Sequence, residues 1–298
     1  MPKHTIGLDV GGTKIQAGVI TRTGRVIDSV QFANDISTTR RTLAQIMAAI
    51  DHFFRTHTIG GIGVGITGVV ESAAGVVVSS PNLPRDWHRI PLGRLLKNKY
   101  HVPISIDNDA NCCALAEALI GRGKRYSVVL GLTIGTGIGT GLVIDKKLYR
   151  GGLQAVEFGH TVISDSQVRC SCGRPGHFEA LVSGTALVAA YRRQTGTTKT
   201  SYQIIAEARA GKRAARQTLH TMSGYLARGL ANATQAYSPD IIVLGGGLAR
   251  VSALVKPALK KVPTLVRAVQ TRRPHIVTSR LHYDAGIIGA ALLAHQPR

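Results

Sequence analysis

The sequence predicts an α/β protein, and three observations carry that prediction. Short apolar runs end in glycine, as at residues 5–10 before Gly11-Gly12 and residues 241–244 before Gly245-Gly246-Gly247. A strand-like run turns directly into a helix-like one at Ile106-Asp107-Asn108-Asp109-Ala110-Asn111. The chain, at 298 residues, has room for two domains at ~150 residues each. No apolar run approaches the ~20 residues that cross a bilayer.

In chain order, residues 5–20 read as two strands joined by Gly11-Gly12, with a third strand at 26–32. Those glycines bend the backbone and expose N–H groups, while Thr13 adds a hydroxyl and Lys14 a cation. The set suits phosphate oxygens. Asp9 beside it can hold Mg²⁺ through water. The turn is not a P-loop, which opens a helix and spaces its glycines differently. Residues 38–54 place Leu43, Ile46, Met47, Ile50, Phe53 and Phe54 at helical spacing. Residues 62–66 form a buried strand ending at Thr67-Gly68. A hairpin at 71–80, a loop through Pro81-Asn82-Leu83-Pro84, and a helix at 92–100 follow.

The central strand at 102–106 feeds a helix at 112–119. Carboxylates at the carboxyl end of such a strand face the crevice where open α/β sheets bind ligands. Asp109 there can take a proton from a hydroxyl that Asn108 orients. The same residues also suit a doubly capped helix start, and the hexapeptide alone leaves both readings open. A strand at 126–133 meets Ile134-Gly135-Thr136-Gly137-Ile138-Gly139-Thr140-Gly141, a second phosphate clamp or an ordinary glycine turn, before a strand at 142–144. His160, Cys170, Cys172 and His177 make a Cys₂His₂ set suited to tetrahedral Zn²⁺. Their order is not that of a zinc finger, and free cysteines beside solvent histidines are the alternative. A helix at 215–237 leads to a buried strand ending in Gly245, Gly246 and Gly247, which let a flat ring approach the backbone. Another helix starts from Leu248, and a small-residue helix at 284–293 closes the chain.

Charge is the unusual feature of the composition. Thirty-seven Lys and Arg face sixteen Asp and Glu, a net charge of +21. From residue 201 onward the acids are only Glu207, Asp240 and Asp284. Such a surface attracts polyanions, although a general compositional habit of the source organism is the preferred account of it. The bases are scattered, without an arginine-rich arm or interleaved aromatics, so specific nucleic-acid binding is not expected. Four cysteines are too few for a disulfide framework, and the Cys170-x-Cys172 pair points to metal in a reducing compartment, the cytoplasm.

Taken together, these motifs resemble the ROK family of sugar kinases and repressors, within the actin-like ATPase superfamily, over essentially the whole chain. Asp9-Val10-Gly11-Gly12-Thr13-Lys14 and Gly135 to Gly141 are similar to the family's two phosphate motifs, and Gly245-Gly246-Gly247 to its adenosine motif. Asn108-Asp109-Ala110-Asn111 resembles the sugar and catalytic-base motif. Glu157-x-Gly159-His160 and Cys-x-Cys-Gly-x-x-Gly-x-x-Glu, ending at Glu179, resemble the sugar and zinc motifs. Three departures stand out: Asp107 replaces a Glu, Thr67 precedes Gly68 where Pro is usual, and His177 replaces a zinc cysteine.

The resemblance implies two ribonuclease-H-like domains with mixed sheets around a central cleft. Residues 1–115 with 286–298 form the smaller one and 116–285 the larger, with the zinc knuckle. It implies sugar held by Gly68, Asn82, Asn108, Asp109, Glu157, His160 and Glu179. ATP is implied along Asp9, Gly11, Gly12, Thr13, Lys14, Gly135, Thr136, Gly137, Gly245, Gly246 and Gly247. Asp109 is then the general base, Mg²⁺ assists, and a structural Zn²⁺ sits on His160, Cys170, Cys172 and His177. The loop around Asn82 with Trp87 resembles glucokinases of the family. Glucose is therefore the expected hexose, with fructose, mannose and N-acetylhexosamines as alternatives. Inorganic polyphosphate is a candidate second donor, and a homodimer is expected. A non-catalytic sugar-sensing regulator is the other reading. A repressor of this family carries an N-terminal DNA-binding domain, for which a first strand at residue 5 leaves no room.

Overall fold

The computed structural model describes residues 4–152, 156–266 and 275–296. It divides into two units, Met1–Gly131 with Gly141–Val156 and Arg280–Arg298, and Leu132–Thr140 with Glu157–Ser279. The domain boundary expected at 115/116 falls within a helix of the first unit, and the units divide inside two strands.

In the first unit, β1 (His4–Val10), β2 (Lys14–Ile20) and β3 (Val26–Ala33) form an antiparallel meander. β4 (Ile59–Ile66) lies parallel to β1 and β7 (Ile104–Asn108) parallel to β4, giving the order β3-β2-β1-β4-β7. Between them in sequence, β5 (Val69–Glu71) and β6 (Val76–Ser79) make the expected hairpin. The sheet's two faces follow from residue alternation. Ile6, Leu8 and Val10 of β1, with Ile62, Val64 and Ile66 of β4, pack against α1 (Thr39–Phe54) and α2 (Leu92–Tyr100) in one core. The intervening positions are Gly7, Gly63 and Gly65, with Asp9 the exception, and the bare glycines admit α3 (Asp109–Leu119) and α9 (Ala285–Leu293) on the other face. A Cβ at Gly7 would collide with the carbonyl of Ile287, and one at Gly63 with that of Ala290.

The second sheet has the order β10-β9-β8-β11-β12. It consists of β8 (Val128–Ile134), β9 (Ile138–Ile144), β10 (Lys147–Tyr149), β11 (Ile241–Gly245) and β12 (Ile276–Thr278). Residues 139–141, expected in the glycine clamp, belong to β9, so the turn shrinks to Gly135–Gly137. In the second unit the long helix α7 (Arg213–Tyr237) packs against α5 (Gly184–Thr195), α6 (Ser201–Arg209) and α8 (Ser252–Leu265). The short α4 (Phe178–Leu181) precedes α5. Residues 248–250 form a 3₁₀ turn, and the helix expected from Leu248 starts at Ser252. α5 and α6 lack a clear apolar stripe in sequence, but their caps are explicit. Ser183 accepts from Ala186 N–H, and Thr200 with Gln203 closes a capping box.

Candidate active site

The β7–α3 junction is built by side-chain caps. Asn108 is the N-cap of α3; its Oδ1 accepts from the N–H groups of Ala110 (2.9 Å) and Asn111 (3.2 Å). Its Nδ2 donates to the carbonyl of Gly68 at 3.1 Å, bringing two expected sugar residues together. The capping expected of this junction is present, and the cap fixes where Asp109 begins the helix. One residue earlier, the buried Asp107 accepts from Asn108 N–H (2.8 Å) and Asn111 Nδ2 (2.7 Å) through one oxygen. Its other oxygen accepts from Arg150 Nε at 2.7 Å. Arg150 was not singled out in the sequence, where it lies 43 positions from its partner.

Asp9 and Asp109 share this unit and interact electrostatically. Asp9 is half-buried, its carboxylate lies against Gly286 near the start of α9, and its pKa rises to about 7. Burial is the larger cause and the charge of Asp109 the next, with Lys14 acting in opposition. The turn after Asp9 is held by Gly11 N–H on Lys14 O (3.0 Å) and by Asn34, whose Nδ2 donates to Gly11 O at 2.7 Å. A Cβ at Gly12 would press on the backbone and side chain of Asn82. Asn82 Nδ2 in turn donates to Thr67 Oγ1 at 3.4 Å. Gly12, Asn82, Thr67-Gly68 and Asn108 thus form one continuous set. Thr13 is exposed at the turn. Lys14 donates to Gln31 (3.1 Å) and lies over the ring of Tyr283, so its cation is steered sideways by the sheet.

In the second unit the expected metal set comes together. The ligand atoms of His160, Cys170, Cys172 and His177 lie within 4.8 Å of one another. His160 Nδ1 is 3.5 Å from Cys170 Sγ, and His177 Nδ1 is 3.2 Å from Cys172 Sγ. Tetrahedral zinc, with bonds of about 2.3 Å to sulfur and 2.0 Å to nitrogen, sets neighbouring ligand atoms about 3.5 Å apart. The two thiols and two imidazoles fit that ion in spacing and in chemistry. His160 turns its Nε2 away from the cluster, 3.9 Å from Glu157 Oε2. Burial raises the Glu157 pKa, His160 opposes the rise, and Glu179 adds to it. Glu179 accepts from Ile138 N–H at 2.9 Å, beside the Gly135–Gly137 turn. Gly246, at φ +82°, is pressed against Ile134, which sets the Gly245–Gly247 turn beside the one that contains Thr136.

Comparisons with known proteins identify the family. The family model described as "ROK family" matches residues 5–297. A glucokinase of Streptomyces coelicolor is 30% identical, the alignment covering 98% of each chain. The N-acetylgalactosamine kinase AgaK of a Shewanella species is 34% identical over 97% of this chain and 96% of its own. Among solved structures, a Streptomyces griseus glucokinase in complex with glucose and AMPPNP superposes with a TM-score of 0.88. It is 29% identical and is covered over 99% of this chain and 100% of its own.

Proposed function

The chain belongs to the ROK family and has the α/β fold of its kinases, and on that premise we propose that it phosphorylates a hexose with ATP, glucose first. The observation that carries the proposal is the capped β7–α3 junction. It presents Asp109 in the first turn of a helix, in the same unit as Asp9 and a glycine turn suited to phosphate.

Asp109 takes the proton of the sugar hydroxyl as that oxygen forms its bond to the γ-phosphorus, and the bond to the ADP oxygen breaks. Asn82, Asn108 and Gly68 orient the sugar, as do Glu157, His160 and Glu179. Backbone N–H groups at Gly12 and Thr13, and at Thr136 and Gly137, receive phosphate oxygens, with Lys14 adding charge, while the N–H groups of Gly11 and Gly135 close the two turns on Lys14 O and Gly137 O. Gly245, Gly246 and Gly247 accommodate the adenosine. Asp9 would hold Mg²⁺ through water, and the ion supplies positive charge to the phosphates. His160, Cys170, Cys172 and His177 would hold Zn²⁺, whose part is to fix the loop that carries His160.

Glucose is preferred to an N-acetylhexosamine because the loop at Asn82 and Trp87 resembles that of glucokinases. The Shewanella relative favours the second reading. A coupled assay over glucose, fructose, mannose and N-acetylhexosamines, with ATP and polyphosphate as donors, tests both. Glucose with ATP should give the highest kcat/KM. A higher value for an N-acetylhexosamine replaces the sugar, and sugar binding without turnover on any pair establishes the sensor reading instead.

A further inference from the structure

The metal cluster runs without a break in the chain into the segment that holds the turn assigned to phosphate. Glu179 follows His177 by two residues and faces both. Its Oε1 accepts from Ser171 Oγ (3.2 Å) and from the thiol of Cys170 (3.4 Å), both inside the knuckle. Its Oε2 accepts from Ile138 N–H at 2.9 Å, and a Cβ at Gly137 would collide with that same oxygen. The opposite side of the turn is held by the start of α5. There Gly184 N–H donates to Gly135 O at 2.8 Å and Thr185 Oγ1 to Thr136 O at 2.9 Å. A three-residue turn is thus gripped from two sides by the segment 178–185, which begins directly after the metal ligand His177.

We propose that Glu179 is a positioning residue that ties the phosphate turn to the metal knuckle, so that metal occupancy and nucleotide affinity rise together. The inference rests on the reading of Gly135–Gly137 as a donor clamp. A carboxylate offers about four acceptor directions. Without metal, three are occupied by Ser171, Cys170 and Ile138; a metal on Cys170 would displace the thiol proton, so that Ser171 and Ile138 remain and two directions are open to a sugar hydroxyl. With the knuckle closed on a metal, Ser171 is fixed and Glu179 with it, and the turn is ordered before the nucleotide arrives. Without the metal, nucleotide binding must bear the cost of ordering the turn. Coupling of this kind is reciprocal, so nucleotide must tighten zinc binding by the same factor.

The test measures MgADP affinity by calorimetry on protein of known zinc content, as purified, after zinc removal and after zinc return. Removal should weaken MgADP binding about tenfold, and return should restore it. Glu179→Ala should weaken binding by a similar factor with its zinc retained, and zinc removal should then cost it nothing more. Glu179→Gln, whose amide oxygen still accepts from Ile138 N–H, should recover most of the affinity. Ser171→Ala should lose most of the zinc dependence, and it carries the test with Glu179→Gln if the alanine variant does not fold. A chelator competition should show MgADP raising zinc affinity by the same tenfold. Equal MgADP affinity with and without zinc overturns the inference, and so do additive losses from zinc removal and Glu179→Ala. Wild-type protein that binds no MgADP in any metal state would bring down the kinase reading first and this inference with it.

Discussion

Asp9 and Asp109 place two carboxylates in one unit, and burial raises the Asp9 pKa to about 7. A folded-state pKa above the unfolded value means that the folded chain binds the extra proton between about pH 4 and 7. Asp9 therefore costs stability progressively as pH rises through that window, and fully above it. We expect Asp9→Asn to be more stable than wild type at pH 8 by about 2 kcal/mol, a figure discounted for the partial exposure of the group. The gain should shrink by more than half at pH 5, and thermal melts at the two pH values read it. The same variant should lose Mg²⁺-dependent nucleotide affinity. Asp109→Asn keeps a hydrogen-bonding side chain but cannot take a proton. Its turnover should fall about a hundredfold or more while glucose affinity stays within about threefold. A variant that keeps a tenth of wild-type turnover excludes Asp109 as the base.

At the scale of elements, glycine decides the first unit. Gly7 and Gly63 let α9 lie on β1 and β4 at backbone distance, and a Cβ at Gly289 would collide with the carbonyl of Cys112 in α3. Gly63→Ala drives a methyl into the Ala290 carbonyl, and neither backbone can yield. A loss of about 3 kcal/mol or more is expected, or insoluble protein. Gly224 is the contrast: it lies within α7 with open space where a Cβ would go. Gly224→Ala should stabilise by about 0.5–1 kcal/mol through reduced unfolded-chain entropy. The metal knuckle makes a separate prediction. Elemental analysis should find about one zinc per chain, and Cys172→Ser should lower that content and weaken glucose binding through His160. Fully active protein without zinc would remove the metal from the account.

For the whole molecule, the question is what a charge of +21 does. The second unit carries much of it on helices nearly free of acids. Arg192 and Arg193 end α5, and Arg209, Lys212, Arg213 and Arg216 surround the start of α7; all six are exposed. α5 lies beside that start, with Gln194 bonded to both Gln217 and Thr218. Such a surface accelerates encounter with anionic donors, and salt screens it within a Debye length of about 8 Å at physiological strength. The KM for ATP should rise with ionic strength while that for neutral glucose stays flat. Measuring both across a salt series, with polyphosphate as competitor, separates steering from a passive basic composition. Among the described residues no helix is long and apolar enough to cross a membrane.

Local pattern determined much of this protein from sequence alone. Short apolar strands with glycine ends, the 3.6-period helix at 39–54, and Asx residues at a strand-to-helix junction are properties of neighbouring residues. Each appears in the structure within a few residues of its expected place. The order of the motifs was enough to identify the family. Tertiary structure decided the rest, because the deciding contacts join residues far apart in the chain. Arg150 reaches Asp107 across 43 positions, and Glu179 reaches Ile138 across 41. The alternation Gly61, Gly63, Gly65 against Ile62, Val64, Ile66 is visible in the sequence. That its bare face receives α9, from more than 200 residues downstream, is not. A glycine states that something comes close; only the folded chain states what.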